Sequence, residues 1–323
     1  MRRTNIPKDL APLEACADRT QSCVLAVIIG VEGPSYRPLG AMMTVLQNGC
    51  LVGTLSSGCV EADIRIHALK CLKSGVSKVV RYGRGSPYLD IVLPCGGGLQ
   101  IILIPNPDKE ITNHLLNTVI TDRRACAYDI DCETGAIFLS RGGKIPSAIF
   151  RGKILPELKF LIFGKGPELT TFATLAQSAN FQTTLYSPDS DTLEEARSIG
   201  CEAMALTRPE FPTDANADPR TAIVLFFHDH DWEPPILRDA LLTSAFYIGA
   251  QGSKRTRDNR LDSLRAMGAA EHSIARLLGP IGLIDSARDA RTLAISVLAE
   301  VISEANGVNS KNARAPRQFK HLA

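Results

Sequence analysis

No uninterrupted apolar stretch reaches the roughly 18 residues that a membrane-spanning helix needs, so no membrane span is expected. Charge of one sign is also lacking. Thirty-six Lys and Arg stand against 34 Asp and Glu, and the net +2 offers no basic field for nucleic acid. The opening segment MRRTNIPKDLAPLEAC has no apolar stretch behind its two arginines and is not expected to be a secretory signal. Among the nine cysteines (16, 23, 50, 59, 71, 95, 126, 132 and 201) no pair has the spacing of a zinc knuckle or a CxxC redox pair. An apolar fraction of 45% with 22% charged residues excludes both a disordered and a fibrous chain. What remains is a globular protein, expected in the cytoplasm, whose 323 residues suit two domains. In a reducing compartment most of its cysteines are expected to be small buried hydrophobes, Cys23 and Cys71 among them.

The patterning that is present reads as α/β throughout. Residues 1–140 form a strand-rich, mixed α/β domain. Strands are expected at 24–31, 78–82, 89–93 and 99–104, with hairpins at 42–46/51–55 about Asn48-Gly49 and at 125–131/136–139. Val60, Ile64, Ala68 and Cys71 recur at helical spacing and predict a helix over 60–74. Residues 141–158, with Gly142, Gly143, Pro146, Gly152 and Pro156, read as a linker. Residues 159–308 alternate strand, glycine turn and helix, which predicts a Rossmann-like, doubly wound parallel sheet. The tail 309–323 carries Lys311, Arg314, Arg317 and Lys320 without an acid and reads as a solvated, frayed end.

Three constellations carry possible chemistry. Gly164 and Gly166 lie between a strand and a helix opened by Pro167, the setting in which backbone amides approach a phosphate. Leu169 stands where close helix–strand packing wants Gly or Ala, and Ser187 where a ribose-binding acid belongs, so NAD(P) binding is doubtful. His228 and His230 close a strand, and alternation puts both on one face at the rim of the sheet. Two imidazoles fall short of a metal site. In the first domain Ser56-Ser57-Gly58-Cys59 precedes a helix, whose N-terminal dipole favours a thiolate. Cys95-Gly96-Gly97-Gly98 is a glycine turn able to form an anion-binding nest. Both turn cysteines also have a plainer reading as packed small residues. His67 lies two turns along the helix, too far to serve Cys59 as a base, and no catalytic residue is assigned.

From about Cys23 to Ile302 the sequence resembles the XdhC/CoxI family, accessory factors of xanthine dehydrogenase and related molybdenum hydroxylases. The likeness rests on Val31-Glu32-Gly33-Pro34-Ser35-Tyr36-Arg37-Pro38, Gly53-Thr54-Leu55-Ser56-Ser57-Gly58-Cys59-Val60-Glu61-Ala62-Asp63 and Cys95-Gly96-Gly97. In the second half it rests on the strand–Gly–helix start, His228-Asp229-His230-Asp231, Tyr247-Ile248-Gly249 with Gly252-Ser253-Lys254-Arg255, and Pro280-Ile281-Gly282-Leu283. The resemblance implies a carrier of the molybdenum cofactor (molybdopterin). Such a carrier holds the cofactor while a cysteine desulfurase exchanges an oxo ligand for sulfur, then delivers it to an apo-hydroxylase. Cys59, Cys95, Gly58, Gly96, Gly97, Gly164, Gly166, His228 and His230 are the residues expected to meet the cofactor, with Arg37 pairing its phosphate. A homodimer is expected. The chain departs from the family at Ser57, usually Gly, at Leu169, usually Ala, near Ser187, usually acidic, and at Pro167, often His. The competing readings are an NAD(P)-dependent oxidoreductase using the second domain and a metal-dependent hydrolase at His228 and His230.

Overall fold

The chain divides into two compact units, Met1–Pro156 and Glu157–Ala323. The structure, a computed structural model, describes residues 9–18, 20–83, 96–228 and 231–307. The tail 309–323 and the strand expected at 89–93 lie outside the described residues.

Alternation along the first strand, β1 (Cys23–Glu32), organises the N-terminal unit. Val24, Ala26 and Ile28 face one core, where they meet Ile64, Ala68 and Cys71 of helix α2 (Glu61–Ser74). Cys23, Leu25 and Val27 face the other, against Leu13 and Cys16 of α1 (Ala11–Ala17) and Leu115 and Leu116 of α3 (Lys109–Leu116). Each such aliphatic side chain, fully buried, contributes on the order of 1.5–3 kcal/mol. β1 is central in an antiparallel sheet that also holds β2 (Met42–Leu46), β3 (Leu51–Gly53), β4 (Lys78–Gly83) and β5 (Gly98–Pro105), in the order β3-β2-β1-β5-β4.

Register fixes which loops leave which end of this sheet. Glu32 and Gly83 both pair with Gly98, Val27 pairs with Met42, and Met43 with Gly53. Segments 33–41 and 54–60 therefore depart from the end at which Gly96 and Gly97 lead into β5.

The linker expectation for 141–158 needs correction. Ile149–Ile154 is a strand, β8, beside β6 (Cys126–Asp131) in a second sheet, β7-β6-β8, with β7 at Ile137–Leu139. Its glycine belongs to packing rather than to a tether. Gly152 lies opposite Tyr128, and a Cβ there would sit 2.2 Å from the ring. One step along, Arg151 grips Asp129 with two bonds of 2.7 and 2.9 Å.

The second unit is a parallel six-stranded sheet: β9 (Lys159–Gly164), β10 (Gln182–Ser187), β11 (Glu202–Ala205), β12 (Thr221–Phe226), β13 (Tyr247–Ala250) and β14 (Leu277–Leu278). Its order is β11-β10-β9-β12-β13-β14. Counted from the first strand of the unit, this is the 3-2-1-4-5-6 arrangement of dinucleotide-binding folds, with the switch point between β9 and β12. Both faces are covered, which explains why β12 is buried along its whole length. On one face Phe160 and Ile162 meet α4 (Pro167–Ser178), α5 (Ser190–Ser198) and α9 (Ala290–Ala305). On the other Leu161 and Phe163 meet α6 (Glu233–Ala240), α7 (Lys254–Ala266) and α8 (Glu271–Ile274). A buried ion pair ties α6 to α7, with Arg260 bonding Glu233 Oε2 at 2.9 and 3.0 Å and the Gln251 carbonyl at 2.7 Å. Among the described residues no helix is long and apolar enough to cross a membrane.

Candidate functional site

Two regions hold the residues singled out from the sequence, one in each unit. In the first, Cys59 is exposed and lies two residues before α2. Cys23 and Cys71 are buried, and burial pushes the Cys71 thiol upward. His67 is buried farther along α2, beside Asp63 and Lys78, away from the helix start.

The turn that presents Cys59 is built on a residue the sequence reading passed over. Glu61 is only 8% exposed. Its Oε1 accepts from Thr54 Oγ1 (2.6 Å) and from the amides of Leu55 (3.0 Å) and Ser56 (2.8 Å). Its Oε2 accepts from Ser56 Oγ (2.5 Å) and from the amides of Gly58 (2.9 Å) and Val60 (3.2 Å). Burial alone would raise its pKa, but the bonds from Ser56, Thr54 and the backbone outweigh burial and hold it near 2. The Ser57 amide donates to Thr54 Oγ1 at 3.1 Å. Between residues 55 and 60, Cys59 alone has its amide outside this network. Ser57 sits in the left-handed region with φ 61° and Gly58 at φ 106°, so the bend is strained for a serine and natural for the glycine. The dipole argument for a thiolate is thereby altered, because the anion seated at this helix start is the chain's own Glu61. A phosphate finds those amides already taken.

Gly96 and Gly97 stand at the same end of the sheet, and Cys95 lies outside the described residues. A Cβ on Gly97 would fall 2.2 Å from the Pro34 carbonyl oxygen, so this glycine admits the close passage of segment 32–34. Arg37 belongs to the loop from that segment and donates to Asp9 Oδ1 at 2.6 Å rather than standing open. Its Nε is buried without a partner among the described residues.

In the second unit Gly164 and Gly166 form the expected turn, with Pro167 opening α4. One of its amides is taken up internally. The Gly166 amide donates to Thr192 Oγ1 at 3.0 Å, and Thr192 Oγ1 donates in turn to Asp189 Oδ2 at 2.5 Å. Asp189 caps α5, and its bonds from Thr192 hold its carboxyl below the ordinary range. Ser187 is wholly buried at the end of β10, and Leu169 is wholly buried in the core between helix and sheet. At the mouth of the glycine turn Glu168 Oε2 lies 3.5 Å from His228 Nε2. The Gln251 side-chain nitrogen lies 3.3 Å from the same imidazole nitrogen.

β12 ends at Phe226, so strand alternation does not extend to the histidine pair as expected. His228 is a loop residue beyond the strand, 63% exposed at its side chain. It does stand at the C-terminal rim. His230 lies outside the described residues. Among the described residues no group of three or more His, Cys, Asp or Glu could hold a metal ion. Glu61, Glu168 and Gln251 escaped sequence reasoning. Only Glu61 had a signal, an acid in the first turn of the expected helix, where the helix start favours a carboxylate.

Comparison with known proteins follows the same division. Residues 160–301 match the XdhC Rossmann domain, and residues 16–83 match the XdhC and CoxI family. The chain is 32% identical over 289 residues to the molybdenum cofactor insertion chaperone PaoD of Escherichia coli strain K12, covering 88% of this chain and 83% of that protein. It is 26% identical over 332 residues to a probable xanthine dehydrogenase subunit from Bacillus subtilis strain 168, covering 90% and 95%. A crystal structure of a protein described as a xanthine dehydrogenase, from Bacillus halodurans, superposes with a TM-score of 0.73 at 25% identity, over 93% of this chain and 96% of that one. With that identity and coverage in both units, the chain belongs to the XdhC/CoxI family.

Proposed function

We propose that this protein binds the molybdenum cofactor and inserts it into a molybdenum hydroxylase of the xanthine dehydrogenase type. It is a maturation factor rather than a turnover enzyme. The observation that carries this reading is 32% identity to a molybdenum cofactor insertion chaperone across 83% of that protein's length. The chemistry of the first unit agrees with it. Cys59 is an exposed soft donor on a turn whose other amides are internally bonded, as suits a ligand for a metal-bearing cargo. The reading extends to a cysteine desulfurase as the sulfur source, to a homodimer and to a cytoplasmic setting.

The second unit is proposed to serve the same cargo rather than a nicotinamide dinucleotide. Its strand order favours a dinucleotide, but the Gly166 amide is engaged by Thr192, Glu168 stands at the turn, and Ser187 supplies no acid for a ribose. The test is reconstitution. Cofactor-loaded protein mixed with apo-hydroxylase should restore hydroxylase activity, and protein loaded in the presence of a cysteine desulfurase should restore more. Transfer no better than from free cofactor would reject the reading. Equal activation with and without the desulfurase would remove the sulfuration step alone.

A further inference from the structure

The Cys59 turn has a dedicated support. A buried carboxylate is costly unless its oxygens are fully bonded, and Glu61 meets that condition with Thr54, Leu55, Ser56, Gly58 and Val60. Ordinary capping of α2, whose N-cap is Val60, would need only the bond to the Val60 amide. Here the carboxylate also gathers residues 54–56, which precede the helix, and so closes the whole loop between β3 and α2 around itself. Two hydroxyls serve the same end from both directions. Ser56 Oγ donates to Glu61 and accepts from the Val60 amide at 3.0 Å. Thr54 Oγ1 donates to Glu61 and accepts from the Ser57 amide. The left-handed Ser57, in a conformation that costs a non-glycine residue about 1 kcal/mol or more, is held by these bonds. Cys59 is the residue the closure leaves out: its thiol is exposed and its amide is outside the network.

We propose that Glu61 is a positioning residue, whose carboxylate fixes the 54–60 turn so that Cys59 is presented outward to the cargo. This rests on the reading that Cys59 contacts the molybdenum cofactor. It adds a second residue to that contact, one that does not itself touch the cargo. A purely structural Glu61 would affect stability and leave Cys59 indifferent to its identity.

The test uses the full chain as wild type, Glu61→Gln, Cys59→Ala and the double variant. Three quantities are measured: site-resolved amide exchange over residues 55–60, site-resolved alkylation of Cys59 and Cys50, and retained cofactor as molybdenum and oxidised pterin. Cys50 is the internal control, since it is also exposed but lies in the β2–β3 hairpin. In Glu61→Gln, exchange at Ser56, Gly58 and Val60 is expected to rise about tenfold or more, as charge-assisted bonds become neutral or are lost. Alkylation of Cys59 should shift while that of Cys50 stays at the wild-type rate. Retained cofactor should fall about tenfold, and the double variant should retain as much as Cys59→Ala alone, the signature of two residues acting through one contact. Should Glu61→Gln fail to fold, Ser56→Ala removes one donor to the same carboxylate and is expected to lower retention about threefold in the same direction. Wild-type retention in Glu61→Gln, with Cys59→Ala defective, overturns the proposal and leaves the Cys59 reading standing. So do losses that multiply in the double variant. Full retention in Cys59→Ala overturns the reading and the proposal together.

Discussion

Acid titration of the N-terminal unit isolates the contribution of Glu61. Its carboxyl falls from an ordinary value of 4.5 to about 2 in the folded protein. At about 1.4 kcal/mol per pH unit, that drop of roughly 2.5 units corresponds to ~3 kcal/mol of folding stability. The sign follows from the depressed folded value. The contribution is fully present above the unfolded pKa near 4.5 and is lost as pH falls through about 2. Glu61→Gln has no charge to lose, so the variant should lie ~3 kcal/mol below wild type at pH 7, and the gap should narrow below pH ~4.5 as wild type takes up its proton. Urea titrations from pH 3 to pH 8, read by hydrogen exchange in peptides covering 55–74, report this unit separately from the other. A gap under about 0.5 kcal/mol at pH 7, or one of constant size down to pH 3, would refute the claim that the turn is built on an ionised carboxylate.

Three further expectations follow from single contacts. Calorimetry with NAD or NADP should show affinity no tighter than roughly millimolar, about −4 kcal/mol, and a micromolar constant would show that Leu169, Ser187 and the engaged Gly166 amide do not block the site. Gly97→Ala should destabilise the N-terminal unit by about 1–3 kcal/mol in urea unfolding, because the new methyl meets the Pro34 carbonyl at 2.2 Å and backbone must shift. Arg260→Ala should cost the second unit about 3–5 kcal/mol, since it removes the guanidinium from a buried pair whose side chains are 2% and 1% exposed. Thermal unfolding within about 1 °C of wild type would contradict that burial.

Much of the architecture was legible because burial writes itself into patterning. The near-continuous apolar runs of β9 and β12, and the glycine turn before α4, were enough to read a doubly wound sheet. The α2 helix announced itself through Val60, Ile64, Ala68 and Cys71. β8 did not, because its glycine and the prolines around it mimic a tether. The pairing that makes it a strand, Arg151 against Asp129 and Gly152 against Tyr128, joins residues more than twenty positions apart. Helix α3 had a local signal in Asp108, whose carboxylate accepts from the Glu110 and Ile111 amides, but its eight residues are too short for a persuasive period. At the candidate site, motif spacing singled out Cys59, Gly58 and Gly166 and missed what the turn amides around them are bonded to. Glu61 and Thr192 fill donors that the motif alone leaves open, and only tertiary geometry shows which amides remain free for a ligand.

The proposed hold of Cys59 on the cofactor can be read from the molybdenum and pterin that co-purify with the protein. Wild type and Cys71→Ala should carry both in equal molar ratio, with Cys71→Ala losing stability instead, as expected for a buried thiol. Cys59→Ala should fold as wild type does, because its side chain is exposed, yet carry about tenfold less of each. Equal molybdenum and pterin in wild type and Cys59→Ala would show that Cys59 does not hold the cofactor.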